Sequence, residues 1–401
     1  MERQQNPGGP QLFYRLGLTR EQNLFREHPA SYSGICIRAN YLAYFQKFTL
    51  GLLLELAKPF FIDPVTYIFA REPAQILNDD GNVKSSYEKL GQHYGEPVVA
   101  ALGRVRITQA DFNDPAVRQG FAERVISYQR VQALQLPEKY QRYQRFLGAS
   151  QMQTSFLLPP YFYLESLDDG WAEINTDLAA RAAAFAEQPV YPVIFLSRTM
   201  LSTEGSIERI ADLYDHEAYG GFFVWVEDVH GVWSDISTLR AYRRLVQGLA
   251  ALGKPIFALY GDYFSILLWY DGLIGFCSGI CYSERKEVDP PAIEGSIPDR
   301  YYVRRLKYKA QLDTTIQRLG IGQYEDLACK CGICPQDMDL SSFDTEDSQR
   351  HFIHARSAEL DQAASEPREA ILSELSGAFD RYQANQLLKA DHLLKWIRIF
   401  S

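Results

Sequence analysis

Three cysteines crowd into six residues of this chain, Cys329, Cys331 and Cys334 in the run CKCGIC, and two histidines, His351 and His354, follow in RHFIHAR. Thiolates and a neutral imidazole are ligands that zinc takes in a tetrahedron, and three sulfurs with one nitrogen complete it with no position left for water. The predicted chemistry is structural binding of Zn2+. His354 is the expected fourth ligand, with His351 as the alternative on the same helix. A second run, RYYVRRLKYK at 300–309, carries Arg300, Arg304, Arg305, Lys307 and Lys309 without one acid, interleaved with Tyr301, Tyr302 and Tyr308. Cations among aromatics suit phosphates and stacked bases. The plainer reading is a strand with a solvated basic face.

The elements that must position these residues are legible in the apolar runs. With 401 residues, 46% of them hydrophobic, the chain can bury a large core. Runs at 35–39 (ICIRA), 59–63 (PFFID), 155–160 (SFLLPP), 192–197 (PVIFLS), 221–227 (GFFVWVE), 255–261 (PIFALYG) and 272–278 (GLIGFCS) read as strands, with YYVRRL at 301–306 as the candidate eighth. Most lack strict alternation, as strands covered on both faces should, and amphipathic stretches separate them. The pattern predicts an α/β chain: a (β/α)8 TIM barrel with a helical insertion and a zinc-binding subdomain after the last strand. Its expected divisions are a polar leader over 1–30, a barrel over 31–320 with the insertion at about 70–153, the zinc-binding subdomain over 321–365, and one long closing helix within 366–401.

Composition narrows the function classes. No stretch reaches the roughly 20 uncharged apolar residues of a membrane span, and the polar start MERQQNPGGPQ has no signal-peptide core. Six cysteines, three of them clustered, do not resemble a dispersed disulfide framework. A soluble, cytoplasmic protein in a reducing compartment is expected. The net charge of −9 excludes a histone-like binder that relies on global counterion release, though not a local basic groove.

A Cys-x-Cys-x-x-Cys followed about twenty residues later by a histidine, after the last strand of such a barrel, resembles the zinc signature of the tRNA-guanine transglycosylase superfamily. Arg350 through His354 approximate that family's histidine segment, FFIDPVTY at 60–67 resembles its second-strand segment, and KPIFALYGDYFSILLWYDGLIGFCSG at 254–279 resembles its last two barrel units. The resemblance implies an enzyme acting on N-glycosidic bonds in nucleic acid, with Asp63 as a site acid, Tyr67 as the aromatic beside it, and Arg285 and Lys286 on a loop that touches the nucleic-acid backbone. The chain departs from the family where the nucleophilic aspartate should stand, reading Gly275-Phe276-Cys277-Ser278. The base-reading positions likewise fall near Pro159 and Pro160 and near Leu196, Ser197 and Arg198. These departures move the expectation from base exchange toward hydrolysis.

Breaking an N-glycosidic bond passes through a sugar with oxocarbenium character, which a nearby carboxylate stabilises. Asp63 is the first candidate; a second acid is available from Glu227, Asp228 or Asp262, each at the end of a strand, where such barrels build their sites. Acids there also serve as caps and turn formers. Tyr161, Phe162 and Trp225 are placed to stack an extruded base, although core filling is the commoner use of any one aromatic. Arg198 could meet a base edge or a phosphate, and Arg285, Lys286, Arg304, Arg305 and Lys307 could line a backbone groove. Cys277 reads as a small buried residue. The function expected is removal of a modified base by a DNA glycosylase, in the manner of the superfamily's DNA-acting branches, which include anti-phage defence. DNA is preferred over tRNA as partner. The alternatives are a tRNA- or DNA-guanine transglycosylase and a noncatalytic nucleic-acid-binding subunit, and a second copy of the chain is a further candidate partner.

Overall fold

Short runs of aromatic and β-branched residues, buried on both faces, form the strands that alternate with helices along this chain. In the computed structural model they are β1 (Gln11–Arg15), β2 (Gly34–Arg38), β3 (Phe60–Asp63), β4 (Val193–Leu196), β5 (Phe222–Val226), β6 (Ile256–Ala258) and β7 (Leu273–Ser278). The structure describes residues 8–17, 19–72, 75–104, 106–135, 138, 141–142, 152–280, 287–288, 299–319, 327, 329–334, 340, 343–384 and 388–401. All seven strands run parallel in the order β3-β2-β1-β7-β6-β5-β4. The fold is an α/β TIM barrel.

The gap between β3 and β4 is closed by residues 155–164, which follow the path of an eighth stave without forming a regular strand. Ser155 N donates to Phe60 O at 2.8 Å on the β3 side, and Leu164 N to Phe195 O at 2.9 Å on the β4 side. Pro159 and Pro160 cannot donate to a ladder, so buried side chains take over its function. Gln129 bonds both Leu158 N (3.0 Å) and Leu158 O (2.7 Å), Thr66 Oγ1 bonds Tyr161 N (2.8 Å) and O (2.7 Å), and Asn175 bonds Phe162 N and O, each at 2.8 Å. Backbone groups that would otherwise be orphaned in the core are thereby satisfied.

Inside the barrel, side chains stack in layers. Phe13, Phe61, Phe156, Phe223 and Phe257 meet across it with ring centroids 4.8–6.1 Å apart. Because strand side chains alternate with period two, the residues two positions further on also face inward: Arg15 after Phe13, Asp63 after Phe61 and Trp225 after Phe223. Charge thus enters the barrel directly above an aromatic plug, at the C-terminal ends of the strands.

Three sequence expectations are corrected here. The supposed polar leader contains QLFYR, whose Leu12, Phe13 and Tyr14 are fully buried, and this strand pairs with both β2 and β7. It makes Asp63 part of the third stave rather than the second. YYVRRL is no barrel strand: Arg300–Val303 (β8) and Tyr308–Gln311 (β9) form an antiparallel hairpin of their own. The last segment is two helices, Arg368–Tyr382 and Asp391–Phe400, rather than one long one. Helices Ser85–Tyr94, Val98–Arg104 and Pro115–Arg130 occupy the expected insertion. Among the described residues, no helix is long and apolar enough to cross a membrane.

Candidate active site and metal centre

Asp63 is fully buried at the mouth of the barrel. Its Oδ1 accepts from Tyr161 Oη at 2.8 Å and from Val65 N at 3.1 Å, and its Oδ2 pairs with Arg15 Nη1 at 3.4 Å. A β-branched residue resists the left-handed region, yet Val65 sits at φ 48° and turns its amide onto the carboxylate. Among the described residues four non-glycines have positive φ, and a second, Asp228 at φ 49°, follows Glu227 at the end of β5. Backbone strain of this kind collects at functional sites. Burial pushes the Tyr161 phenol well above its ordinary pKa, the charge on Asp63 adds to that shift, and Tyr161 stays a donor.

The other candidate acids, Glu227, Asp228 and Asp262, differ in what holds them. Glu227 is half-buried and receives the Tyr163 hydroxyl at 2.5 Å. Asp262 is committed to structure: its Oδ1 caps the helix Tyr263–Leu268 at Phe264 N (2.8 Å), while its Oδ2 accepts from Gly231 N at 2.6 Å and faces His230 at 3.3 Å. Asp228 is half-buried beside Glu227.

The aromatic candidates divide. Tyr67 stacks on Tyr161 at 5.6 Å and meets Trp225 edge-on at 4.9 Å, and Trp225 lies flat on Phe195 at 3.5 Å, so these buried rings pack as one cluster that reaches Asp63 through the Tyr161 hydroxyl. Phe162 points away, stacking on Trp171 at 4.3 Å among the outer helices. Arg198 is exposed just past β4. Burial, with a hydrogen bond to Cys36, pushes the Cys277 thiol well up and leaves it an inert neutral group. Sequence reasoning missed Arg15, Arg38, Tyr163 and Tyr260. A signal was present: QLFYR, GICIR and FFID are consecutive strands that each end in a charged residue.

Part of the basic run is spent on structure. Tyr301, Tyr302 and Lys307 are buried, so neither the tyrosines nor Lys307 can meet nucleic acid. Lys307 pairs with Glu359 at 3.5 Å and Glu374 at 3.2 Å. Arg305 is exposed and Arg304 half-buried; Arg285 and Lys286 lie outside the described residues.

Cys329, Cys331, Cys334 and His351 present ligand atoms that all lie within 4.8 Å of one another. Cys331 and Cys334 Sγ are 3.6 Å apart, and His351 Nδ1 is 3.3 and 3.4 Å from them. A tetrahedron with metal–sulfur bonds of about 2.3 Å and metal–nitrogen bonds of about 2.0–2.1 Å has edges of about 3.8 and 3.5 Å. A disulfide would need about 2.05 Å. The group therefore fits a metal ion. His351 Nε2 donates to Tyr302 O at 2.7 Å, which leaves Nδ1 unprotonated toward the sulfurs, and Tyr301 stacks on the imidazole at 4.4 Å and 4°. The expected ligand His354 is corrected: its ring packs against His28 at 4.8 Å. The helix Thr345–Ser365 buries Ser348, Phe352, Ala355 and Glu359 on one stripe, and His351 belongs to it.

No protein-family model matches the chain, and no curated protein matches it. Among solved structures, endo-1,4-beta-xylanase 10B of Clostridium thermocellum, complexed with xylohexaose, is similar at TM-score 0.38 and 9% identity, over 69% of this chain and 60% of that one. A protein assigned as a fructose-1,6-biphosphate aldolase of Coccidioides immitis gives TM-score 0.33 and 8% identity over 94% of this chain and 93% of that one. An intracellular xylanase of Thermoanaerobacterium saccharolyticum gives 0.31 and 8% over 72% and 89%. These likenesses concern the fold alone.

Proposed function

We propose that this chain cleaves the N-glycosidic bond of a nucleotide in nucleic acid, DNA by preference, with Asp63 facing the sugar and Glu227 as the second acid. The observation that carries this reading is the Asp63 carboxylate, held between Arg15 and Tyr161 where the packed barrel interior gives way to charge. A fixed anion in a dry site stabilises a developing oxocarbenium more strongly than water can. Glu227, oriented by the Tyr163 hydroxyl, is placed to handle a proton of water or of the departing base. Tyr67, Tyr161 and Trp225 supply an aromatic wall for that base. Because Tyr67 and Tyr161 cover Asp63, the reading requires them to part on binding. The ion of the Cys3His cluster is zinc and structural, since four protein ligands close its shell.

The test is mass spectrometry of bases released from a panel of modified and unmodified DNAs and from tRNA. Wild-type protein should release one base, and Asp63→Asn should slow release by about 10²–10³-fold, the usual worth of one preorganised charge-stabilising group. Absence of abasic sites and of base incorporation in every DNA, with tRNA reacting, would sink the DNA reading. The complete burial of Asp63 favours one rival, a noncatalytic nucleic-acid-binding subunit. That rival predicts full binding and no release from any substrate.

A further inference from the structure

Three neighbouring staves end in charge at the barrel mouth, Arg15 on β1, Arg38 on β2 and Asp63 on β3, and Arg38 stands directly in register with Asp63. Two guanidinium-bearing staves thus neighbour one carboxylate, and only Arg15 pairs with it. Arg15, more than nine-tenths buried, spends Nη1 on Asp63 and Nη2 on Leu259 O (2.5 Å), and lies 3.8 Å over the Tyr260 ring. Arg38 donates from Nη2 to Tyr87 Oη at 3.2 Å, and no acid among the described residues lies within ion-pair distance of it. The Nε of both arginines is buried with no hydrogen-bond partner. Buried cations are retained when a counter-charge meets them, and unused guanidinium donors are what a phosphate accepts from. Arg38 and Tyr260 are only half-buried, which leaves an approach from solvent.

We propose that Arg15 and Arg38 form an anion subsite at the barrel mouth whose ligand is a phosphate ester of the nucleotide to be cleaved. This rests on the nucleotide reading of the same site. The Tyr260 ring and the Asp63 pair fix Arg15 in advance, so the ester meets one prearranged guanidinium and one, Arg38, that swings from a single neutral partner. The subsite sets a phosphate on the stave beside the carboxylate that faces the sugar, as neighbouring groups of one nucleotide require.

Titration calorimetry with a nucleoside, its 5′-monophosphate and inorganic phosphate tests it on the full chain. The monophosphate should bind wild-type protein at least about tenfold tighter than the nucleoside, inorganic phosphate should compete with it weakly, Arg38→Gln should erase the difference, and Arg38→Lys should retain part of it. Equal affinities for nucleoside and monophosphate in wild-type protein would overturn the proposal, and that comparison needs no variant to fold. Inorganic phosphate binding as tightly as the monophosphate overturns the assignment to an ester. A phosphate preference without any base release would sink the glycosidic reading and leave the subsite standing; release without the preference would do the reverse.

Discussion

His351→Ala should strip the metal from this protein, and His354→Ala should leave it in place. Metal content of the purified variants, measured by plasma emission, decides this directly. The effect should be large: structural zinc contributes about 10–16 kcal/mol to the folding of small zinc-finger peptides, and a tetrahedral site that loses a ligand loses much of that. Cys331→Ser should behave like His351→Ala because its sulfur lies 3.3 Å from the imidazole nitrogen in the same cluster. Acid should act in the same direction. Sulfur ligands bind as thiolates and the histidine as a neutral ring, so protons compete with the ion and falling pH should release it. Loss of the ion from His354→Ala at the level of His351→Ala would overturn the assignment.

Glu359→Gln should cost about 3–5 kcal/mol of stability, the penalty for stranding buried charge. The Glu359 carboxylate is fully enclosed and takes Lys307 at 3.5 Å, Arg356 at 3.2 Å and the Tyr302 hydroxyl at 2.9 and 3.0 Å. Both cations have side chains 1% exposed. Without that anion, Arg356 keeps the faces of Tyr302 and Phe352, each 5.2 Å away, and of Tyr263 at 5.9 Å, but loses the carboxylate that offsets its burial. Denaturant unfolding followed by circular dichroism measures the loss, and a change under 1 kcal/mol would show that the cluster is not under the tension its burial implies. Arg305→Ala, on the exposed turn of the same hairpin, should stay within about 0.5 kcal/mol.

Most staves of the barrel were readable because each is a short apolar run ending in a polar or breaking residue, and that pattern survives folding. QLFYR escaped notice because it is brief and embedded in polar neighbours, so composition hid a strand that the core buries from both sides. YYVRRL misled for the opposite reason. Its tyrosines, and Lys307 just after it, look like a nucleic-acid surface by residue type, but Tyr301 and Tyr302 face the helix Thr345–Ser365, and only the tertiary packing reveals that Lys307 meets Glu359 on that helix and Glu374 on the next. The three cysteine ligands followed from spacing alone. The histidine did not, since His351 and His354 differ only in rotation about one helix, and that rotation is set by residues far away in sequence. Asp63 was visible as an acid at a strand end. Its partner Arg15 was not, because the two are 48 residues apart and meet only when the barrel closes.

The stave at 155–164 gives the barrel one seam of a different kind from the rest. Elsewhere neighbouring strands are zipped by backbone along their length, so parting them means breaking a cooperative ladder; here backbone bonds hold only the two ends, and the middle, Leu158, Tyr161 and Phe162, is held by three side chains, Gln129, Thr66 and Asn175, each of which can let go alone. Opening there is a local fluctuation rather than an unfolding event. Amide hydrogen exchange should therefore run faster at Leu158, Tyr161 and Phe162 than at Ile62 or Val224, which sit within paired strands. The same fluctuation would lift Tyr161 from Asp63, which gives the enclosed carboxylate a door hinged on threonine, glutamine and asparagine.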